Sequence, residues 1–365
     1  EIRLSLVGSE MCIRDRLASV FFGILTVVGV FLLTTELFDR DIGLLAASFL
    51  AVSFWHTVFS RIAFRAIMVP AVYCFALYYL AIAIKKAKLI HFAIAGLIFG
   101  LGFYTYFSFL SMPFIIFFSL PILILSLREC FGFTRTIKKG IALFSLTTLF
   151  VALPMLLYIY QNFETYIARG SYVSVFSFDS PGKRLFWNFC KTMLMFTYEG
   201  DKIARHNLPG RPQLSLPVGI LFWIGFLSMI FILLHGVRKK EFRKVAPTFL
   251  TLSLWSGMLL PAVISTGTPH ALRSLGSIVP TYIMAAFGFK MLAASIFAFF
   301  KGKPIGDFLV KGNLIVILLL TGLLNYQDYF INYRNHPDVY NAFLSKYVSA
   351  GEYLFQLPND VHKYI

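Results

Sequence analysis

The sequence predicts an all-α protein that crosses a membrane about ten times. Of its 365 residues, 58% are hydrophobic and 14% are charged, whereas an ordinary soluble domain carries roughly 45–50% apolar and about 25% charged residues. Long apolar stretches also alternate with short polar segments along most of the chain. These observations exclude a water-soluble globular enzyme, a disordered chain and a small disulfide-stabilised secreted module.

Ten apolar segments are long enough to be candidate membrane-spanning helices, since about 20 apolar residues cross the hydrocarbon. They lie near 17–38, 43–58, 66–84, 91–107, 111–127, 140–160, 214–235, 246–264, 275–297 and 311–326. The second segment is short, and the turns near 58–66 and 107–111 are candidate re-entrant turns. Lys290 falls near the inner end of the ninth segment, and we expect it to extend to the membrane surface.

The first sixteen residues differ sharply from the apolar segment that follows them. They are mixed and polar and lack the basic, apolar and small-residue regions of a signal peptide. The string SLVGSEMCIRDR resembles a translated sequencing adapter, so residues 1–16 are predicted to be a non-native leader on a fragment. The alternative is a genuine polar leader. Residues 17–326 then form the transmembrane domain.

Lysine and arginine are concentrated in one alternate set of loops. That set carries 16 of them, and the opposite set carries 10, of which seven lie within 161–213. Short cytoplasmic loops collect such residues, so the first set is predicted to face the cytoplasm of a multi-pass protein in the inner (plasma) membrane. The net charge of +16 then reflects topology, and no nucleic-acid partner is expected because basic residues and base-stacking aromatics do not share a soluble face.

Two substantial segments are predicted to lie outside, the loop 161–213 and the tail 327–365. Within the loop, Arg184, Asn188 and Lys191 recur at helical spacing opposite Phe186 and Phe189. This pattern predicts a helix in the membrane interface with its cationic side toward the headgroups, or a surface helix packed on neighbouring loops. The tail is mixed-polar and rich in tyrosine, and it is predicted to begin an extracytoplasmic C-terminal segment.

Familiar catalytic and metal-binding motifs are missing from the sequence. There is no HExxH, GxSxG, Walker or CxxC string, so metalloprotease, serine-hydrolase and nucleotidase chemistry has no support. The seven histidines do not fall at metal-ligand spacing along the chain. The sequence therefore predicts no metal site and no cofactor.

Three arginines at the predicted outer face are candidates for binding a phosphate. Arg61 and Arg65 stand at i and i+4, which places them on one face of a helix, and Arg273 lies between the eighth and ninth segments. A planar guanidinium binds phosphate through two parallel hydrogen bonds. Anchoring to phospholipid headgroups is the alternative reading.

A second candidate region is the dense polar run from Glu199 to Pro212, which glycine and proline interrupt. Its charged residues form the candidate substrate loop, since such loops carry binding more often than packing. They are Glu199, Asp201, Arg205, His206 and Arg211.

Several strings, taken in order, resemble the GT-C class of membrane glycosyltransferases, in its family-39-like branch. That branch includes the protein mannosyltransferases and the aminoarabinose transferase of lipid A. The strings are RLASVFFG at 16–23, LFDR at 37–40, FSRIAFR at 59–65, GLGFYTYF at 100–107, RHNLPGRP at 205–212 and PHALR at 269–273. The resemblance covers roughly residues 16–330.

The resemblance implies a GT-C-like fold and transfer of a hexose or pentose from a polyprenyl-phosphate donor to a protein, lipid or glycan acceptor, with inversion. Arg61, Arg65 and Arg273 would hold the donor phosphate. The catalytic residue is unassigned, because the family places its aspartate on a first outside loop upstream of the segment that matches Arg16. The chain is therefore expected to be an inactive piece of an active enzyme.

Two other functions fit the composition. A transporter or flippase of lipid-linked substrates would have two related halves with charges near the bilayer midplane, and no convincing internal repeat is present. A polymerase or ligase of surface polysaccharides would share the lipid-phosphate donor but have a different fold. A cavity at the outer face that gathers the arginines favours the transferase.

Overall fold

The computed structural model describes residues 2–130, 132, 134–178, 180–301, 303–343 and, further on, 351, 353 and 356–358. Helices make up 81% of the chain, and no β-strand occurs in the described part. The fold is that of an all-α polytopic membrane protein, as the composition predicts.

In the residues that the structure describes, fourteen α-helices follow one another. They are α1 (Ile2–Leu37), α2 (Arg40–Ala51), α3 (Phe54–Arg61), α4 (Met68–Lys86), α5 (Leu89–Leu101), α6 (Ser111–Cys130), α7 (Arg135–Gln161), α8 (Phe163–Tyr172), α9 (Pro181–Leu194), α10 (Leu216–Lys239), α11 (Phe242–Val263), α12 (Ile278–Phe299), α13 (Pro304–Tyr326) and α14 (Pro337–Ala342). A π-helical turn, Gln327–Tyr333, extends α13. The polar segment predicted as a leader lies in the first half of α1, which continues without a break into the first span.

Eight helices in the described residues are long and apolar enough to cross a membrane. The other two predicted spans differ in form. The second is divided into α2 and α3, which are bent by 62° relative to each other, and the fourth is the shorter apolar stretch Leu89–Tyr104. The chain breaks between α2 and α3 because the Ser53 side chain caps α3 by accepting a hydrogen bond from the His56 N–H.

The core is centred on α12, which packs against α2, α10 and α11. Every residue from Ile278 to Phe289 is buried. Where α10 crosses α12, Gly225 and Gly288 let the two backbones approach so closely that an added Cβ at either position would overlap a carbonyl of the other helix. Small residues of this kind allow close helix packing in membranes.

The peripheral helices α7 and α13 expose most of their apolar side chains, including Phe150, Leu319 and Leu323. In water such a surface would be an aggregation site. In a bilayer it is the lipid-facing surface of the protein.

The predicted interfacial helix is α9, and Asn188 of its polar face contacts a neighbouring loop, as in the second alternative. The Asn188 amide donates to the carbonyls of Val263 and Ser265, both at 2.9 Å. Asn188 therefore faces the protein rather than the headgroups, because these carbonyls at the end of α11 need donors. Phe186 and Phe189 are exposed.

One end of the bundle carries paired charges. Lys290 forms an ion pair with Asp39, which also caps α2, and Lys85 pairs with Glu36 at 2.7 Å. Lys290 therefore extends to this end of the bundle, as expected, and there it also finds a carboxylate of the α1–α2 turn as its partner.

Candidate functional site

A cavity of about 750 Å³ opens at the opposite end of the bundle, and we call it the arginine cavity. Four arginines line it: Arg16 of α1, Arg61 at the end of α3, Arg205 in the loop before α10, and Arg334 after the π-helical turn. Residues from four separate parts of the chain therefore meet at one place.

Aromatic rings form much of the remaining wall. The Arg61 guanidinium lies over Tyr329 and Phe330, with its Cζ 5.3 and 5.6 Å from the ring centroids. Tyr333 and Tyr340 also line the cavity. A guanidinium group that stacks on aromatic rings keeps its N–H groups free, and these groups point outward in the plane of the guanidinium, where they can bind a ligand.

The charge of the arginine cavity is of one sign. Its lining in the described residues contains four guanidinium groups and no carboxylate. All four side chains are exposed to solvent, and Arg205 donates one hydrogen bond, of 2.9 Å, to the Ala342 carbonyl. Such a cavity attracts anions, and planar guanidinium groups fit phosphate oxygens.

The three arginines predicted to bind phosphate do not form one cluster. Arg61 lines the arginine cavity, whereas Arg65 lines a separate cavity of about 200 Å³ that shares Ala63 and Phe64 with it. The prediction that Arg61 and Arg65 stand on one helix face is wrong. Helix α3 ends at Arg61, the backbone is extended at Ile62, and Arg65 begins a separate 3₁₀ turn.

Arg273 lies in the loop between α11 and α12 and is bound to that loop. Its Nη1 donates to Ser265 Oγ at 2.5 Å and to the Thr266 carbonyl at 2.7 Å. It does not line either of the two cavities described. These hydrogen bonds stabilise the turn before α12.

The predicted substrate loop divides into an exposed and a buried part. Glu199 forms an exposed ion pair with Lys202 at 2.6 Å, and Arg205 faces the arginine cavity. Asp201, His206 and Arg211 instead lie inside the protein, so they organise the loop rather than present it to solvent.

Arg211 connects this loop to α13 and to the α2–α3 break. Its Nε donates to Asp328 at 2.5 Å and its Nη2 to Asn325 Oδ1 at 2.6 Å, while its guanidinium lies 4.3 Å from the centre of the Phe54 ring. The Asn325 amide in turn donates to the Val52 carbonyl at 2.6 Å. Asn325 and Asp328 carry no local motif, so their role could not be predicted from the sequence.

Asp201 lies at the centre of a buried cluster with two histidines. Its Oδ2 is 3.3 Å from His206 Nδ1 and 3.9 Å from His270 Nδ1. Backbone N–H groups of Ile203 and Ala271 also donate to the carboxylate, each at 2.8 Å. Burial, together with the charge of nearby Arg273, lowers the pKa of His270 to about 3, so this imidazole is neutral.

The spacing of the histidines along the chain did not indicate this cluster. The reason is that two different loops supply its residues. Asp201 and His206 lie in the loop before α10, whereas His270 lies in the loop before α12, beside Ala271, which is 70 residues from Asp201. The local signal that could have indicated it is that the strings RHNLPGRP and PHALR each carry one histidine in a segment between predicted spans.

Fold and cavity together define a polytopic membrane protein with an anion-attracting site at one end. Residues 4–158 match the family described as dolichyl-phosphate-mannose-protein mannosyltransferase. This match confirms the resemblance to GT-C glycosyltransferases. It includes Arg61 and Arg65, and it begins within the segment predicted as a leader. A comparison with curated proteins gives no match.

Solved structures of an archaeal oligosaccharyltransferase are similar to this chain. The enzyme of Archaeoglobus fulgidus tethered with an acceptor peptide has a TM-score of 0.48 and 16% identity, over 96% of this chain and 48% of that one. The same organism's oligosaccharyltransferase AglB, in complex with an inhibitory peptide and a dolichol-phosphate, has a TM-score of 0.42 and 15% identity, over 94% and 49%. The chain thus spans about half the length of these structures.

Proposed function

We propose that this chain is the membrane domain of a glycosyltransferase that takes a hexose or pentose from a polyprenyl-phosphate donor. The acceptor is a protein, lipid or glycan at the extracytoplasmic face of the plasma membrane, and transfer proceeds with inversion. The observation that carries the proposal is the arginine cavity, in which the guanidinium groups of Arg61, Arg205 and Arg334 face one space that contains no described carboxylate. Arg16, the last residue of the segment predicted as a leader, adds a fourth. The family match supports the reaction class.

The chemistry of this transfer requires cations near the donor phosphate. When the acceptor hydroxyl attacks the anomeric carbon, the bond to the phosphate oxygen breaks and negative charge grows on the leaving phosphate. Fixed guanidinium groups stabilise that charge more than they stabilise the bound donor. Arg61 and Arg205 are the proposed phosphate ligands of this cavity, and the tyrosine and phenylalanine rings provide a wall for apolar or sugar groups.

A binding experiment tests the phosphate site directly. The protein in detergent is titrated with a short polyprenyl phosphate and complexes are counted by native mass spectrometry. Arg61→Gln and Arg205→Gln are expected to weaken binding about tenfold, since a hydrogen bond to a charged group contributes roughly 1.5–3 kcal/mol. Arg238→Gln, an exposed substitution at the end of α10, is the matched control.

The same titration separates the cavity arginines from the other two sequence candidates. Arg65 and Arg273 remain proposed phosphate ligands from the sequence pattern, and Arg65→Gln and Arg273→Gln measure their contribution. Equal affinity of all arginine variants and the wild type would remove the arginine cavity from the mechanism.

Transfer itself is measured in membranes that contain the full-length protein, with a radiolabelled polyprenyl-phosphate sugar. Labelled acceptor is expected, with the anomeric configuration opposite to that of the donor, and Arg61→Gln is expected to reduce its amount. Movement of the intact lipid-linked sugar across the membrane, without transfer, would instead indicate a flippase.

A further inference from the structure

The cluster of Asp201, His206 and His270 has the composition and geometry of a metal site. Their ligand atoms all lie within 4.8 Å of one another, and the residues are 0%, 7% and 6% exposed. Two ligand atoms at about 2.0–2.1 Å from a tetrahedral Zn²⁺ stand roughly 3.3 Å apart. The separations of 3.3 and 3.9 Å from Asp201 Oδ2 to the two imidazole Nδ1 atoms are therefore close to ligand spacing.

The hydrogen bonds around the cluster also suit a metal. The Asp201 carboxylate is already held by the N–H groups of Ile203 and Ala271, and such hydrogen bonds fix the orientation of a ligand. The N–H of Arg273 is 3.4 Å from His270 Nδ1, a long contact that a metal bond would replace.

A further polar group beside the cluster lacks a partner. The Asn207 amide nitrogen donates to the backbone carbonyls of Asp201 and Arg211, at 3.0 and 2.6 Å. Its Oδ1 is buried without a hydrogen-bond partner in the described structure. A buried acceptor of this kind requires a donor, and the described residues do not supply one.

We propose that Asp201, His206 and His270 bind a structural Zn²⁺ ion that joins the loop before α10 to the loop before α12. Two imidazoles and one carboxylate favour zinc over magnesium or calcium, which prefer oxygen ligands. The rings of Phe59 and Phe64 lie 6.0 and 5.6 Å from the His206 ring and shield this side of the site. Because Arg205 directly precedes His206, the ion would hold one wall of the arginine cavity in place.

Metal content is the first test. Purified protein is incubated with Zn²⁺, desalted and assayed by inductively coupled plasma mass spectrometry, and one zinc per chain is expected. His206→Gln and His270→Gln are expected to weaken zinc binding at least as much as loss of an outer-shell partner, about 10–100-fold. His235→Gln, at an exposed histidine on α10, should keep its zinc. Wild-type protein without zinc, or glutamine variants that keep it, would overturn the proposal.

A spectroscopic test does not depend on the variants folding. Co²⁺ added to metal-free wild-type protein is expected to give the intense visible absorption of a tetrahedral ion, and Zn²⁺ should then displace it. Zn²⁺ should also raise the thermal midpoint of the wild type. A cobalt spectrum identical to that of the hydrated ion, with no change of midpoint, would likewise contradict the proposal.

Discussion

At the residue scale, a few buried polar side chains connect loops that are distant in sequence. Arg211 is the clearest case, because its side chain is only 10% exposed and forks between Asp328 and Asn325. A buried charge is tolerated only when it is paired and hydrogen-bonded. This guanidinium group is therefore one of the contacts that hold the loop carrying Arg205 to the arginine cavity.

A substitution of Arg211 tests whether its two hydrogen bonds stabilise the protein. Arg211→Lys keeps the charge but cannot make both planar hydrogen bonds, so we expect a loss of about 1–3 kcal/mol in the free energy of unfolding. Thermal unfolding in detergent measures it. Arg238→Lys, at the exposed end of α10, should leave the midpoint unchanged, and an equally stable Arg211→Lys protein would show that the fork is dispensable.

At the scale of single elements, the break between α2 and α3 places Arg61 at the cavity. The Ser53 hydroxyl accepts hydrogen bonds from the His56 N–H at 3.2 Å and from the Tyr282 hydroxyl at 2.5 Å. One side chain thus both caps α3 and binds the central helix α12. The break is specified locally by a capping serine and fixed by a tertiary contact.

Removing the cap is expected to destabilise the protein. Ser53→Ala loses the cap, typically about 1 kcal/mol, and leaves the buried Tyr282 hydroxyl without its acceptor, which costs roughly 1–3 kcal/mol more. The measurement is the thermal midpoint. Ser256→Ala is a suitable comparison, since that exposed hydroxyl bonds only carbonyls of its own helix. No difference between the two variants would argue against the capping role.

The contact between α10 and α12 gives a second prediction at this scale. Gly288→Ala places a methyl group against the Leu221 carbonyl, and overpacking of this kind costs typically 1–3 kcal/mol. The matched control is Gly322→Ala in α13, where an added Cβ meets nothing within 4 Å. The first variant should unfold at a lower temperature and the second should not. Equal thermal midpoints of the two variants would mean that the close contact between α10 and α12 does not contribute to stability.

At the scale of the whole molecule, the two ends of the bundle have different charge arrangements. One end carries the pairs Lys290–Asp39 and Lys85–Glu36, and the other carries the arginine cavity. The positive-inside rule predicts that the cavity end is extracytoplasmic. This orientation is required for a donor presented at the outer leaflet.

Cysteine labelling tests the orientation. In a background without the four native cysteines, Lys202→Cys is expected to react with a membrane-impermeant maleimide in intact cells. Lys240→Cys, at the opposite end, should react only after permeabilisation. Both positions are exposed, so access to reagent should depend on the membrane alone. The reverse labelling pattern would invert the proposed topology.

The sequence by itself determined the class of protein, the approximate positions of the spans and the candidate outer loops. These properties are local, because the length and apolarity of a segment decide whether it crosses a membrane. Only the tertiary structure decided which polar groups meet. It separated Arg61 from Arg65 by ending α3 between them, and it brought His270 to Asp201 and Arg205 to Arg61. Helix packing sets such distances through contacts between residues far apart in the chain, and no spacing along the sequence encodes them.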